Sequence, residues 1–216
     1  MKDAETLFFD LDGTLTDSKP GIIAGITYAF EQIGHPVPSF DDVTQFIGPP
    51  LRHTFAARLG EEKTEIALAH YRRHYSDEGN GLTGNSLYED IVPVLENLQA
   101  QKRRMFVVTS KPRPVAEGVV AYFRLDRFFE RVYGPEHDGT HNDKGDLIAY
   151  ALKQENLRPE NIVMIGDRKH DILAAKAHGI DSIGVLWGYG PEAELREAGA
   201  TYIAAKPYDL LRILLH

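Results

Sequence analysis

From residue 85 onward the chain alternates short apolar runs with amphipathic helical segments, and this alternation constrains the fold more than any other feature. Residues 104–109, 129–133, 161–165 and 182–186 read as strands. Residues 89–101, 112–123, 143–154, 168–178 and 191–198 read as helices, and Tyr202-Ile203 precede a last helix from Tyr208. Strands that alternate with helices wind into parallel βαβ units, so the pattern predicts a three-layer α/β/α core around a parallel sheet.

One strand stands apart. The run Thr6-Leu-Phe-Phe is strand-like, but the pattern after Gly13 is helical for about seventy residues. Residues 1–15 and 85–216 are therefore expected to form one α/β core, with 16–84 inserted as a small helical domain. Within the insertion, Pro20 sits in the first turn of a helix expected to end near Gly34. A break at Phe46-Ile47-Gly48-Pro49-Pro50 precedes a helix over 51–59, and another helix covers 64–75. The glycine-bearing stretch 79–85 reads as a loop, and glycines at such joints suit a hinged cap.

Composition bounds the function. A chain of 216 residues with 43% hydrophobic and 26% charged side chains can bury a core. A net charge of -8 argues against nucleic acid polymers as partners, and any phosphate site must gather local cations. There is no cysteine, which excludes thiolate nucleophiles and disulfides. No segment reads as a signal peptide or a membrane span, so cytoplasmic residence is expected.

The chemistry is concentrated where the predicted strands end. Asp10 and Asp12 share one face of an extended chain, and Gly13 lets the backbone turn just beyond them. Paired acids there suit metal binding, nucleophilic attack and proton transfer, or merely a solvated turn. Thr109-Ser110 follow the second strand, where hydroxyls and free N–H groups serve either as a phosphate cradle or as a helix cap. Lys144 opens a helix, an unfavourable place for a cation unless it reaches a phosphate or a carboxylate. Gly166-Asp167 end another strand, with Asp171 four residues later on the same helical face. An N-cap explains Asp167 alone, but two acidic strand ends side by side call for a cation. Oxygen-only donors on a partly open site point to Mg²⁺.

The ordered set Asp10-Leu-Asp12-Gly13-Thr14, Thr109-Ser110, Lys144 and Gly166-Asp167 with Asp171 resembles the haloacid dehalogenase superfamily. Thr14-Leu-Thr-Asp17-Ser18, Ile47-Gly48-Pro49-Pro50-Leu51 and Trp187-Gly188-Tyr189-Gly190 are similar to its phosphoglycolate phosphatase-like branch, which also contains 5′-nucleotidases. The resemblance implies a Rossmann-like core with a helical cap and an Mg²⁺-dependent phosphatase acting on a small phosphorylated metabolite through an aspartyl-phosphate. It implies that Asp10 is the nucleophile and Asp12 the proton shuttle. Asp10, the Asp12 carbonyl and Asp167 would hold Mg²⁺, with Asp171 in support. Thr109, the Ser110 backbone and Lys144 would hold the phosphoryl group. Specificity is expected in the insertion, where Arg52 and His53 either contact the substrate or are polar positions on an exposed cap helix. Arg168 departs from the small residue that many relatives carry there. A phosphomutase would use the same acids. A dinucleotide turn at Gly188-x-Gly190-x-x-Ala193 and a non-catalytic regulatory protein are weaker alternatives.

Overall fold

The computed structural model describes residues 4–39, 42, 43, 46, 47, 51–136 and 139–215. The Gly48-Pro49-Pro50 part of the expected helix break lies outside the described residues. In chain order the strands are β1 (Thr6–Phe9), β2 (Thr16–Asp17), β3 (Ser86–Leu87), β4 (Arg104–Val108), β5 (Arg131–Tyr133), β6 (Ile162–Gly166), β7 (Asp181–Val185) and β8 (Tyr202–Ala204). Six of them form one parallel sheet in the order β5-β4-β1-β6-β7-β8, and β2 pairs with β3 in a separate two-stranded sheet.

The chain divides into two compact units, Met1–Thr16 with Leu87–His216, and Asp17–Ser86. The first holds the six-stranded sheet and its flanking helices. Every residue of β1 and of β6 is buried, as continuous apolar runs must be when helices cover both faces. Phe8 of β1 is fully buried and meets Phe106 of β4 edge-on at 5.9 Å between ring centroids. Both belong to a core cluster with Met164, Leu147, Ile148 and Ala175.

The second unit contains α1 (Lys19–Gln32), α2 (Leu51–Leu59), α3 (Glu61–Arg72), a π-helical turn over Arg73–Asp77, and α4 (Asn80–Thr83). Helix α3 starts earlier than the apolar periodicity predicts, because Gly60 turns the chain and Glu61 and Glu62 suit the positive end of the helix. The stretch 79–85, read from sequence as a loop, instead folds into the single turn of α4. The Gly21 N–H donates to the Gly84 carbonyl at 3.0 Å, tying the start of α1 to the end of α4.

In the first unit the helices are α5 (Ile91–Ala100), α6 (Arg113–Tyr122), α7 (Lys144–Glu155), α8 (Lys169–Ala177), α9 (Glu192–Ala198) and α10 (Asp209–Leu215). Apolar faces of these helices explain the buried Val94, Leu95 and Leu98 of α5 and the buried Ala116, Val119 and Val120 of α6. Truncating Phe8 to Ala is expected to lower unfolding free energy by about 3–5 kcal/mol in chemical denaturation. Leu173→Ala, at a position 48% exposed, should stay within about 0.5 kcal/mol. Similar losses at both positions would show that Phe8 is not part of a tightly packed core.

Candidate active site

Strand β1 lies between β4 and β6, where the order of strands reverses, and a crevice opens beyond the carboxyl ends of strands at such a point. Phe9 is level with Val107 and Ile165, so Asp10, Thr109 and Asp167 leave the sheet at the same end. The Asp10 N–H donates to the Ile165 carbonyl at 2.9 Å, carrying the pairing one residue past β1. Asp10 Oδ1 accepts the Leu11 N–H at 2.8 Å, which fixes the carboxylate, and the Thr109 hydroxyl also bonds to it.

Lys144 reaches this point from the first turn of α7. Asp143 caps that helix, its Oδ1 accepting the N–H groups of Gly145 at 2.8 Å and Asp146 at 3.1 Å. The Lys144 side chain is only 6% exposed; its Nζ lies 3.1 Å from Asp10 Oδ2 and donates a close hydrogen bond to Asp171 Oδ1. Two buried carboxylates thus account for a cation at an unfavourable helix end. They also hold it protonated: burial pushes its pKa down, but the attraction of Asp10 and Asp171 outweighs that and raises it. Asp171 has a second task, accepting the Arg168 N–H at 3.0 Å and so capping α8.

Asp167 is fully buried. The Tyr189 N–H donates to its Oδ2 at 2.8 Å, whereas its Oδ1 has no hydrogen-bond partner. The space around it is closed by glycine backbone. A Cβ on Gly188 would sit 2.4 Å from Asp167 Cβ, and one on Gly13, where φ is +82°, would sit 2.3 Å from Asp167 Oδ2. Gly188 is therefore used for close approach to a carboxylate, which leaves no reason to read Gly188-x-Gly190 as a dinucleotide turn. The Trp187 indole N–H donates to the Thr14 carbonyl at 3.0 Å, joining the same loop to the turn after β1.

The remaining expected residues are placed as follows. The Asp12 carboxylate does not join the Asp10 cluster; its Oδ2 lies 2.7 Å from Lys111 Nζ, and its Oδ1 is buried without a partner. Lys111 was not among the residues singled out from sequence, although it follows Thr109-Ser110 directly. Thr109 Oγ1 accepts the Lys111 N–H at 3.3 Å, and Ser110 lies between them at partial exposure. Arg52 belongs to the other unit, where its guanidinium faces Glu61 at 3.3 Å and pairs with Glu65.

One ligand oxygen from each of Asp10, Asp167 and Asp171 lies within 4.8 Å of the others. Three carboxylates share one ammonium, so their full ionisation leaves excess negative charge in a buried place. Burial raises the Asp10 pKa to about 6 from 3.8, and Asp171 adds to the rise against the opposing pull of Lys144. Burial likewise lifts Asp167 well above the carboxylate range, with Asp171 and Asp10 contributing. The unpartnered Asp167 Oδ1, the surplus charge and the all-oxygen donor set fit a hard divalent cation.

A raised carboxylate pKa means that the folded state binds more protons than the unfolded chain between pH 3.8 and about 6. Its contribution to stability is therefore lost as pH rises through that window. Without metal, Asp10→Asn should raise Tm more at pH 7.5 than at pH 4.5, where wild-type Asp10 is largely protonated. Melting curves in chelator check this, and an equal gain at both pH values would refute the raised Asp10 pKa.

Residues 7–185 match the haloacid dehalogenase-like hydrolase family. The tyrosine-protein kinase PtkA of Mycobacterium tuberculosis is 40% identical over 209 residues, which cover 96% of this chain and 71% of that protein. A 5′-nucleotidase of Pseudomonas aeruginosa is 38% identical over 220 residues, covering 99% of each. The solved structure of a putative phosphatase from Clostridium difficile superposes with a TM-score of 0.88 at 40% identity, covering all of both chains. With the parallel sheet, the acids at its switch point and a family match over most of its length, the chain is a hydrolase belonging to the haloacid dehalogenase-like family.

Proposed function

We propose that the protein is a Mg²⁺-dependent phosphatase that hydrolyses small phosphomonoesters through a phosphorylated Asp10. The observation that carries this reading is the Asp10 carboxylate, held by Lys144 at 3.1 Å and by the Leu11 N–H, with Asp167 beside it. Residues 1–15 and 85–216 act as the catalytic core in this reading, and 16–84 as a helical cap. The substrate in this reading is a small phosphorylated metabolite of the cytoplasm; no described helix is long and apolar enough to cross a membrane.

An Asp10 oxygen attacks phosphorus, and the bond from phosphorus to the ester oxygen breaks. Asp12 gives its proton to that leaving oxygen. Asp12 then takes a proton from a water molecule, whose oxygen attacks the phosphorus of phosphoaspartate, and the bond to Asp10 breaks to release phosphate. Asp12 Oδ2 faces Lys111 and Oδ1 has no partner, so Oδ1 is the oxygen that carries the proton in this reading. Lys144, Thr109 and the Ser110 backbone orient the phosphoryl oxygens, and Asp171 keeps Lys144 in place. A divalent cation held by Asp10, Asp167 and the Asp12 main-chain carbonyl supplies the neutralising charge that phosphoryl transfer requires.

Selectivity is assigned to the cap, since the core handles only the phosphoryl group. Phosphoglycolate, nucleoside monophosphates and sugar phosphates all meet the requirements of the core. Arg52 contacts the substrate only by giving up Glu61 or Glu65. A second reading keeps phosphoaspartate and changes the acceptor from water to another hydroxyl. A phosphomutase does this, and the name of the mycobacterial relative raises a tyrosine hydroxyl as an acceptor.

Asp10→Asn should abolish release of phosphate from an aryl phosphate while leaving the circular dichroism spectrum unchanged. Wild-type rates in this variant would sink the mechanism. Thr109→Ala should slow turnover by roughly 10²–10³-fold, the usual effect of losing one preorganised donor. A panel of phosphorylated metabolites, assayed with and without Mg²⁺ for free phosphate and for isomerised product, separates hydrolysis from transfer. Product isomerisation without phosphate release would favour the mutase.

A further inference from the structure

Arg168 places a full positive charge directly after Asp167, the carboxylate whose Oδ1 is left without a partner. A cation there is costly for a neighbouring divalent ion, both by repulsion and by competition for the same carboxylate. Arg168 is not turned out to solvent; its side chain is 14% exposed. Its Nε lies 2.9 Å from Glu194 Oε1, and its second terminal nitrogen lies 3.5 Å from Glu194 Oε2. Glu194 is itself 18% exposed and sits in the first turn of α9. The same Oε1 accepts the Lys169 N–H at 2.9 Å, at the start of α8. One glutamate therefore anchors both the backbone and the guanidinium immediately beyond Asp167. These bonds hold its carboxyl below its ordinary pKa despite partial burial, so it stays charged opposite Arg168.

The loop before α9 acts on Asp167 as well. The Tyr189 N–H occupies Asp167 Oδ2, and Glu194 lies five residues further on. Backbone and side chain from one short segment thus fix the two neighbours, Asp167 by its Oδ2 and Arg168 by its guanidinium. We propose that Glu194 is a positioning residue for divalent-cation binding: it holds and neutralises Arg168 so that Asp167 Oδ1 stays available to the ion. The proposal rests on the assignment of Asp167 as a cation ligand.

The test uses the full chain, stripped of metal and titrated with Mg²⁺ alone in a calorimeter, with no substrate present. Wild-type protein comes first. If it binds no Mg²⁺, the cation assignment fails and the proposal with it. If it binds, E194Q should bind about tenfold more weakly, since one uncompensated charge remains near the ion. Gln keeps an oxygen for the Lys169 N–H, so the cap on α8 survives. The double variant R168M/E194Q should return to within about twofold of wild type, because the offending cation is gone. A purely structural role for Glu194 would lower Tm in chelator and would not be rescued in this way. Unchanged Mg²⁺ affinity in E194Q, or a double variant as weak as E194Q, overturns the proposal. Should E194Q fail to fold, R168M alone decides: equal or tighter binding supports the proposal, and weaker binding overturns it.

Discussion

The buried ammonium of Lys144 between Asp10 and Asp171 is the interaction on which the rest of the site depends. It joins three elements far apart in sequence: the end of β1, the first turn of α7 and the first turn of α8. Removing the Lys144 ammonium would leave buried carboxylates without compensation, which is far more damaging than the net worth of the pair suggests. The cluster is also unbalanced, because Asp167 adds a third carboxylate and no second cation. Burial raises Asp10 to about 6, and Asp171 adds to the rise against the pull of Lys144. In the proposed reaction Asp10 must be ionised to attack, and burial holds it in a place that resists ionisation.

Much of this arrangement was legible in the sequence, for a local reason. Each strand that feeds the site is a short apolar run ending in Asp10, Thr109 or Gly166-Asp167, and a parallel sheet brings such ends together whatever lies between them. Lys144 was visible as an anomaly, a cation at a helix start, and its partners resolve it. Illegible residues act across long separations with no local signature. Lys111 meets Asp12 over 99 residues of chain, and the Tyr189 N–H meets Asp167 over 22. Nothing adjacent to Lys111 marks it as the partner of an acid. The π turn at Arg73–Asp77 and the single turn of α4 are equally silent, being set by packing within the helical unit rather than by periodicity.

The loop Trp187–Gly190 fits the resemblance to the haloacid dehalogenase superfamily, whereas the weaker dinucleotide alternative fails on the contacts of its glycines. Two glycines after a strand can pass for a dinucleotide-binding turn, but here Gly188 lets backbone approach the Asp167 side chain and Gly190 lets it approach the Asp167 carbonyl. Gly188 and Gly13 crowd Asp167 from two directions, closer than any side chain would allow. The conformation of one residue in β1's turn and the composition of the loop after β7 are thus coupled through a single aspartate. That coupling explains why glycine spacing alone was a poor guide: the spacing answers to Asp167, which lies elsewhere in the sequence.

Charge accounting around the site explains why a divalent cation, rather than protein side chains alone, is the natural counter-charge for a phosphate ester. Each cation named here already faces a carboxylate: Lys144 faces Asp10 and Asp171, Lys111 faces Asp12, and Arg168 faces Glu194. A dianionic substrate approaching a chain of net charge -8 therefore meets matched pairs rather than spare positive charge. Lys144 has a further N–H for a phosphoryl oxygen, but its charge is already matched by Asp10 and Asp171. In the proposed reaction a divalent ion held by Asp10 and Asp167 would supply the positive charge that these pairs do not spare. The pairs would then hold geometry, and the ion would supply the field.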